Sequence, residues 1–216
     1  MNRIILLFFL TFCLCAKIGV GQQSDVALQQ LFEDYHEQYL ILFPLEATAF
    51  GDSRYNDLLP IDIDQGFAAK KTQFYKSILS RLRVIDQSRA SESKKLAAEI
   101  LDYELNMRLE GMKFDFDRIP FHQFDGLPLT FGQMGSGTGS QPFKTVKDYD
   151  DWLKRIDAFT VWSRTAIERF RDGIKDDYVL PKILVERMIK QMFDETIVSE
   201  EPDKNLFYGP IKLMPA

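Results

Sequence analysis

Two histidines, His36 and His122, are the only imidazoles in the 216 residues. His36-Glu37-Gln38-Tyr39-Leu40 begins like the zinc helix His-Glu-x-x-His, in which two imidazoles one turn apart hold the metal and the Glu serves as base. Position 40 is Leu, so the second ligand is missing. Glu33-Asp34-Tyr35-His36 matches the Glu-x-x-His of di-iron bundles, which also need a second copy and two further carboxylates. Ile119-Pro120-Phe121 before His122 cannot supply that copy. One histidine cannot build a closed nitrogen-ligand set. His36 therefore reads as an ordinary helix-face residue, and no metal ligand is assigned.

Gly132 to Ser140 is rich in glycine but lacks the Gly-Lys-Ser/Thr ending of a P-loop and the spacing of a dinucleotide fingerprint. It reads as a mobile loop or as one that backs a substrate cleft. No Gly-x-Ser-x-Gly elbow occurs, and neither histidine has an evident Ser and Asp partner pair. No catalytic residue is assigned. The most informative polar pair is Asp52 with Arg54, beside Tyr55, inside Phe43-Pro-Leu-Glu-Ala-Thr-Ala-Phe-Gly-Asp-Ser-Arg-Tyr-Asn-Asp57. An Arg there offers a planar fork for a substrate carboxylate. The commoner role of such loop charges is a local brace.

The elements that would position these groups are helical. Apolar residues recur at three- and four-residue steps over about 25–43, 64–86, 92–113 and 147–175, with a shorter run over about 181–193. Ser24 or Asp25, Ser91 and Thr145 are candidate caps, and Pro44 closes the first pattern. The third pattern carries two stripes, Leu96, Ile100, Tyr103, Met107 and Leu101, Leu105, Leu109, Met112, which predicts partners on two sides. Phe114 to Phe143 breaks the period with Pro120, Pro128, Pro142 and five glycines, and 115–121 reads as extended. The tail from Glu200 shows no closing helix or strand. The fold expected is all-α: a bundle of about four to five long helices with a Pro/Gly-rich connecting segment.

Residues 1–21 have the basic start, apolar run and small-residue exit of a signal peptide. The apolar run is too short to span a bilayer, so no transmembrane helix is expected after signal removal. Phe12 and Leu14 before Cys13 and Cys15 argue against a lipid anchor. Both cysteines lie in the leader, so the exported chain, periplasmic or extracellular, has no disulfide and no thiolate site. A net charge of -5 provides no basic surplus for nucleic acid. The remainder, 22–216, suffices for one sizeable core.

Pro44 to Asp57 resembles the N-terminal signature of the bacterial family known as domain of unknown function 885. The resemblance continues through Leu127-Pro128-Leu129, Gln133, Tyr149-Asp150-Asp151-Trp152-Leu153 and Val179-Leu180-Pro181-Lys182. It implies an exported, largely helical protein similar to zinc peptidases, whose metal motif, His-Glu followed shortly by Gly-His-His, lies in a C-terminal half. No Gly-His-His occurs here, so no catalytic or metal residue carries over. The chain is then expected to be the N-terminal part of a longer protein, without zinc or catalysis of its own. Its partners would be the missing half and a peptide substrate. Asp52, Arg54, Tyr55 and Gln133 would face the cleft that the missing half completes. A self-sufficient binding module and an inert remnant of a truncated gene are the alternatives.

Overall fold

The computed structural model describes residues 2–212 and residue 214, with side chains from Gln22 onward. Among the described residues there are nine α-helices, three 3₁₀ turns and no strand, so the chain is all-α. It divides into two compact units, Met1–Tyr39 with Ala69–Phe114, and Leu40–Ala68 with Asp115–Ala216.

The first unit is built from most of α1 (Asn2–Leu42), most of α3 (Gln65–Val84) and α4 (Glu92–Gly111). Leu28 and Leu31 of α1, Ile78 and Leu82 of α3, and Leu101 and Leu105 of α4 are buried, as their spacing requires. Polar contacts join the same helices. Tyr35 stacks on Phe74 at 5.5 Å, its hydroxyl donates to Glu104, and Arg81 bonds Asp34. α1 runs through the expected start at Asp25, because nothing from Gln22 to Asp25 breaks a helix. The Asp25 carboxylate instead accepts the Ser91 backbone N–H at 2.8 Å, at the N-terminus of α4. Residues 2–21 of the expected leader fall within α1, and the leader's side chains lie outside the described residues.

One expectation for α4 is corrected. Leu101 and Leu105 are buried, but Leu96, Ile100, Tyr103 and Met107 are each more than half exposed. The helix has one covered face rather than two.

The second unit holds α2 (Pro44–Ala49), α5 (Leu127–Gly135), α6 (Val146–Lys175), α7 (Lys182–Met192), α8 (Glu195–Val198) and α9 (Gly209–Lys212). Its axis is the 30-residue α6, started by a capping box in which Thr145 and Asp148 satisfy each other's backbone N–H groups. The segment expected to be irregular contains two helical pieces. A 3₁₀ turn at Phe116–Arg118 replaces the extended strand expected at 115–121. α5 begins with Pro128 in its first turn, where the missing N–H costs nothing. Gly126 precedes it at φ 131°, and a Cβ there would lie 2.3 Å from that of Phe121. α5 buries Phe131 and Met134 against Trp152, with the Phe131 and Trp152 rings 4.4 Å apart.

The glycine stretch also departs from expectation, because it has a packing partner. A Cβ on Gly135 would meet the Phe207 ring at 2.4 Å and Trp152 at 2.6 Å. Gly137, at φ +81°, faces Pro210, and Gly209 abuts the Ser136 carbonyl. The Tyr149 hydroxyl donates to the Pro210 carbonyl at 2.9 Å. The glycines thus form a bed for the tail, which folds on it as a 3₁₀ turn at Leu206–Tyr208 and as α9. Against the expectation of an open tail, it closes on α5 and α6.

Candidate functional site

The segment 44–57 is shaped from within by a residue far away in sequence. Arg155, on α6, is 0% exposed. Its Nε donates to the Leu58 carbonyl at 3.1 Å. One terminal nitrogen reaches the Gln141 side-chain oxygen. The other reaches Thr48 Oγ1 at 2.8 Å, the Tyr55 carbonyl at 3.0 Å and the Pro44 carbonyl at 3.4 Å. The planar fork so gathers acceptors from both ends of the segment, which a lysine could not do. Thr48 extends the network by donating to the Pro44 carbonyl and lying 2.8 Å from Asn56 Oδ1, and both Thr48 and Asn56 are buried.

Burial pushes the Arg155 guanidinium down to about 10, although Asp151 and Asp57 oppose the shift. It still carries its charge at neutral pH. Those carboxylates form an ionic collar around it. Lys154 bonds Asp57 at 3.1 Å and lies 3.8 Å from the buried Asp151, which also pairs with Lys147. The Lys154 hydrogen bond holds the Asp57 carboxyl below the usual carboxylate range. The hydrogen bond that Lys147 donates to the Asp151 carboxylate raises its ammonium above its ordinary value.

Three of the four residues expected at a cleft lie together on the outer side of this segment. Asp52 caps the 3₁₀ turn Ser53–Tyr55 by accepting the Arg54 backbone N–H at 3.0 Å. Its carboxylate also takes the Arg54 side chain, Nε at 2.9 Å and Nη2 at 2.6 Å. The Arg54 guanidinium lies over the Tyr55 ring, 5.2 Å from its centroid. The Arg54 side chain is about half exposed. The fourth residue, Gln133, sits exposed on a different element, α5. A guanidinium, a carboxylate and an aromatic face suit recognition of a carboxylate or amide.

The two histidines are far from this arrangement in role. His36 is exposed on α1. His122 closes a small turn, in which its Nδ1 accepts the Phe124 N–H at 3.2 Å. Among the described residues no three His, Cys, Asp or Glu side chains gather to hold a metal ion, and no helix is long and apolar enough to cross a membrane.

Sequence reasoning missed Arg155, Thr48 and Asn56. A signal for Arg155 was present, since it falls between Trp152 and Phe159 on the apolar stripe of α6. A charge at such a position is either a defect or a buried clamp. Thr48 and Asn56 sit in a turn-rich segment where polar residues are ordinary, and nothing local distinguishes them.

No curated protein and no solved structure matches the chain. One family model does, over residues 44–216, described as bacterial protein of unknown function (DUF885). The match opens on Pro44, the first residue of the clamped segment. It takes in Arg155, the glycine bed and the tail, and the chain belongs to this family.

Proposed function

We propose that the chain serves as the non-catalytic helical wall of an exported, zinc-hydrolase-like protein. In that reading residues 1–21 direct export. Asp52, Arg54 and Tyr55, together with Gln133 on α5, line the approach of a peptide-like substrate to a metal centre supplied by another polypeptide segment. The metal would activate water for hydrolysis, and this chain would orient the substrate.

One observation carries the reading. Desolvating a guanidinium costs several kcal/mol, yet Arg155 is buried to fix the shape of a short turn whose outer side displays an Arg, an Asp and a Tyr. A plain connection between helices needs no such clamp. A surface that must hold substrate groups in register does.

The test has two parts. The intact mass of the native protein in its own cells is expected to exceed 25.1 kDa substantially. The 216-residue chain, purified after expression alone, is expected to carry no stoichiometric zinc by elemental analysis and to leave a mixed peptide library uncut. One equivalent of zinc together with peptide cleavage by the isolated chain would contradict the proposal.

A further inference from the structure

Two apolar surfaces of the chain lack a covering. The first is the exposed stripe of α4, Leu96, Ile100, Tyr103 and Met107. These residues recur at four-, three- and four-residue steps and so form one ridge about 16 Å long. Glu92, Glu99 and Glu110 follow one edge of the ridge, because each sits three or four residues from a stripe member. Glu92 pairs with Lys95 on its own helix, and Glu110 with Lys113 just past the helix end. Glu99 has no ion pair among the described residues and is exposed.

The second surface is a groove of about 590 Å³ formed by α6, α7 and the chain around them. Trp162, Ala166 and Met188 are buried at its floor, while Ile167, Ile174 and Ile189 stand half exposed or more at its rim. Methionine in such a lining adapts to the shape of an inserted side chain. Arg164 and Arg171 stand on α6 on the Ile167 side of the groove. Both are exposed, and neither has an ion pair among the described residues. Single exposed apolar residues need no explanation, but a ridge and a groove of this extent mark interaction surfaces.

The two surfaces are complementary in three respects. An amphipathic helix with anchors at i, i+4, i+7 and i+11 is what a groove between two helices accepts. The α6 side of the groove, from Phe159 to Ile174, runs about 22 Å, longer than the ridge. The charges match in sign and repeat. Glu92 and Glu99 are seven residues apart, and so are Arg164 and Arg171, each pair separated by about 10.5 Å along its helix. We infer that the groove receives α4 of a second copy of this chain, with Glu92 and Glu99 facing the partner's arginine row. The contact is self-association through two different surfaces, and it closes as a pair if each copy inserts its α4 into the other. It does not depend on the hydrolase reading.

Sedimentation and light scattering of the purified full-chain product over about 1–100 μM test the inference. Ile100→Glu and Ile167→Glu place a charge on the ridge and on the groove rim. Both positions are exposed, so circular dichroism is expected to stay native. The unaltered chain is expected to show the mass of two or more copies. Each variant alone is expected to run as one copy. An equimolar mixture is expected to associate again, because one variant retains the groove and the other the ridge. Arg164→Glu with Arg171→Glu is expected to weaken association at least about tenfold, and mixing with Glu92→Arg, Glu99→Arg to restore it. The inference is overturned if the unaltered chain stays single at every concentration, or if only one of the two isoleucine variants dissociates it. It is also overturned if the mixture stays single. A single-copy chain that binds palmitate with a change in Trp162 fluorescence would likewise overturn it, assigning the groove to an apolar small molecule.

Discussion

The two units reach stability by different means. In the first, α1, α3 and α4 bury apolar stripes, and their polar contacts are mostly exposed pairs such as Arg83 with Asp102 and Lys95 with Glu92. Exposed pairs of that kind contribute about 0–1 kcal/mol each. Stability there follows from hydrophobic periodicity. In the second, a buried cation gathers carbonyls and side-chain oxygens across an irregular stretch, and glycines admit the tail at distances that any Cβ would forbid. Helical regularity builds a scaffold. Aperiodic polar and steric detail gives a segment a particular shape, and here that detail is concentrated around 44–57.

The contrast is open to direct test because both tryptophans, Trp152 and Trp162, lie on α6 in the second unit, so their fluorescence reports that unit alone. The largest effect is expected for Arg155→Met, which strands the carbonyls of Leu58 and Tyr55 and the Gln141 oxygen. A loss of about 3–5 kcal/mol is expected in tryptophan-monitored urea unfolding. A loss under about 1 kcal/mol would show that regular packing holds the second unit as it does the first. Gly135→Ala comes next. The added methyl meets the Phe207 and Trp152 rings, and a cost of about 1–3 kcal/mol is expected by the same probe. A neutral result would mean that the tail does not bear on the glycine bed.

Acidification sharpens the comparison further. Asp57 is held below the usual carboxylate range by Lys154. The unfolded chain therefore takes up the Asp57 proton first as the pH falls. The stabilising contribution is complete above the ordinary value near 3.9 and disappears as the pH drops through the lower folded value. Asp57→Asn is expected to flatten the acid limb of tryptophan-monitored stability, and an unchanged limb would remove Asp57 from the collar. The smallest effect is expected for Arg54→Ala. Its pair with Asp52 is exposed, and the loss in stability should stay below about 1 kcal/mol. A larger loss would make the pair a structural element of the turn, leaving less of Arg54 for recognition.

Legibility in the sequence divides along the same line. The helices around 64–86, 92–113, 147–175 and 181–193 were readable because burial of one face imposes a period, and the Thr145 cap was readable because its partner lies three residues on. The start of α1 was not, since a candidate cap such as Asp25 can serve another helix. The exposure of Leu96, Ile100, Tyr103 and Met107 was not either, because periodicity shows that a face is apolar without showing that anything covers it. The helical pieces between Phe114 and Phe143 were hidden by prolines and glycines, whose local preferences point to irregular chain. In the candidate site, the Asp52–Arg54 brace could be anticipated from local chemistry. The burial of Arg155 left a signal in its place on the α6 stripe, but its partners in 44–58 left none, because they are roughly 100 residues away and hydrogen bonds at that separation leave no local pattern.

The central claim is that Arg155 sets the shape of the segment displaying Asp52, Arg54 and Tyr55. Hydrogen exchange on the unaltered chain and on Arg155→Met, resolved by peptide, tests it most directly. Faster exchange confined to about 44–58, with α1, α3 and α4 of the first unit unchanged, is the predicted result. Unchanged protection over 44–58 would contradict the claim and return that segment to the status of an ordinary interhelical turn.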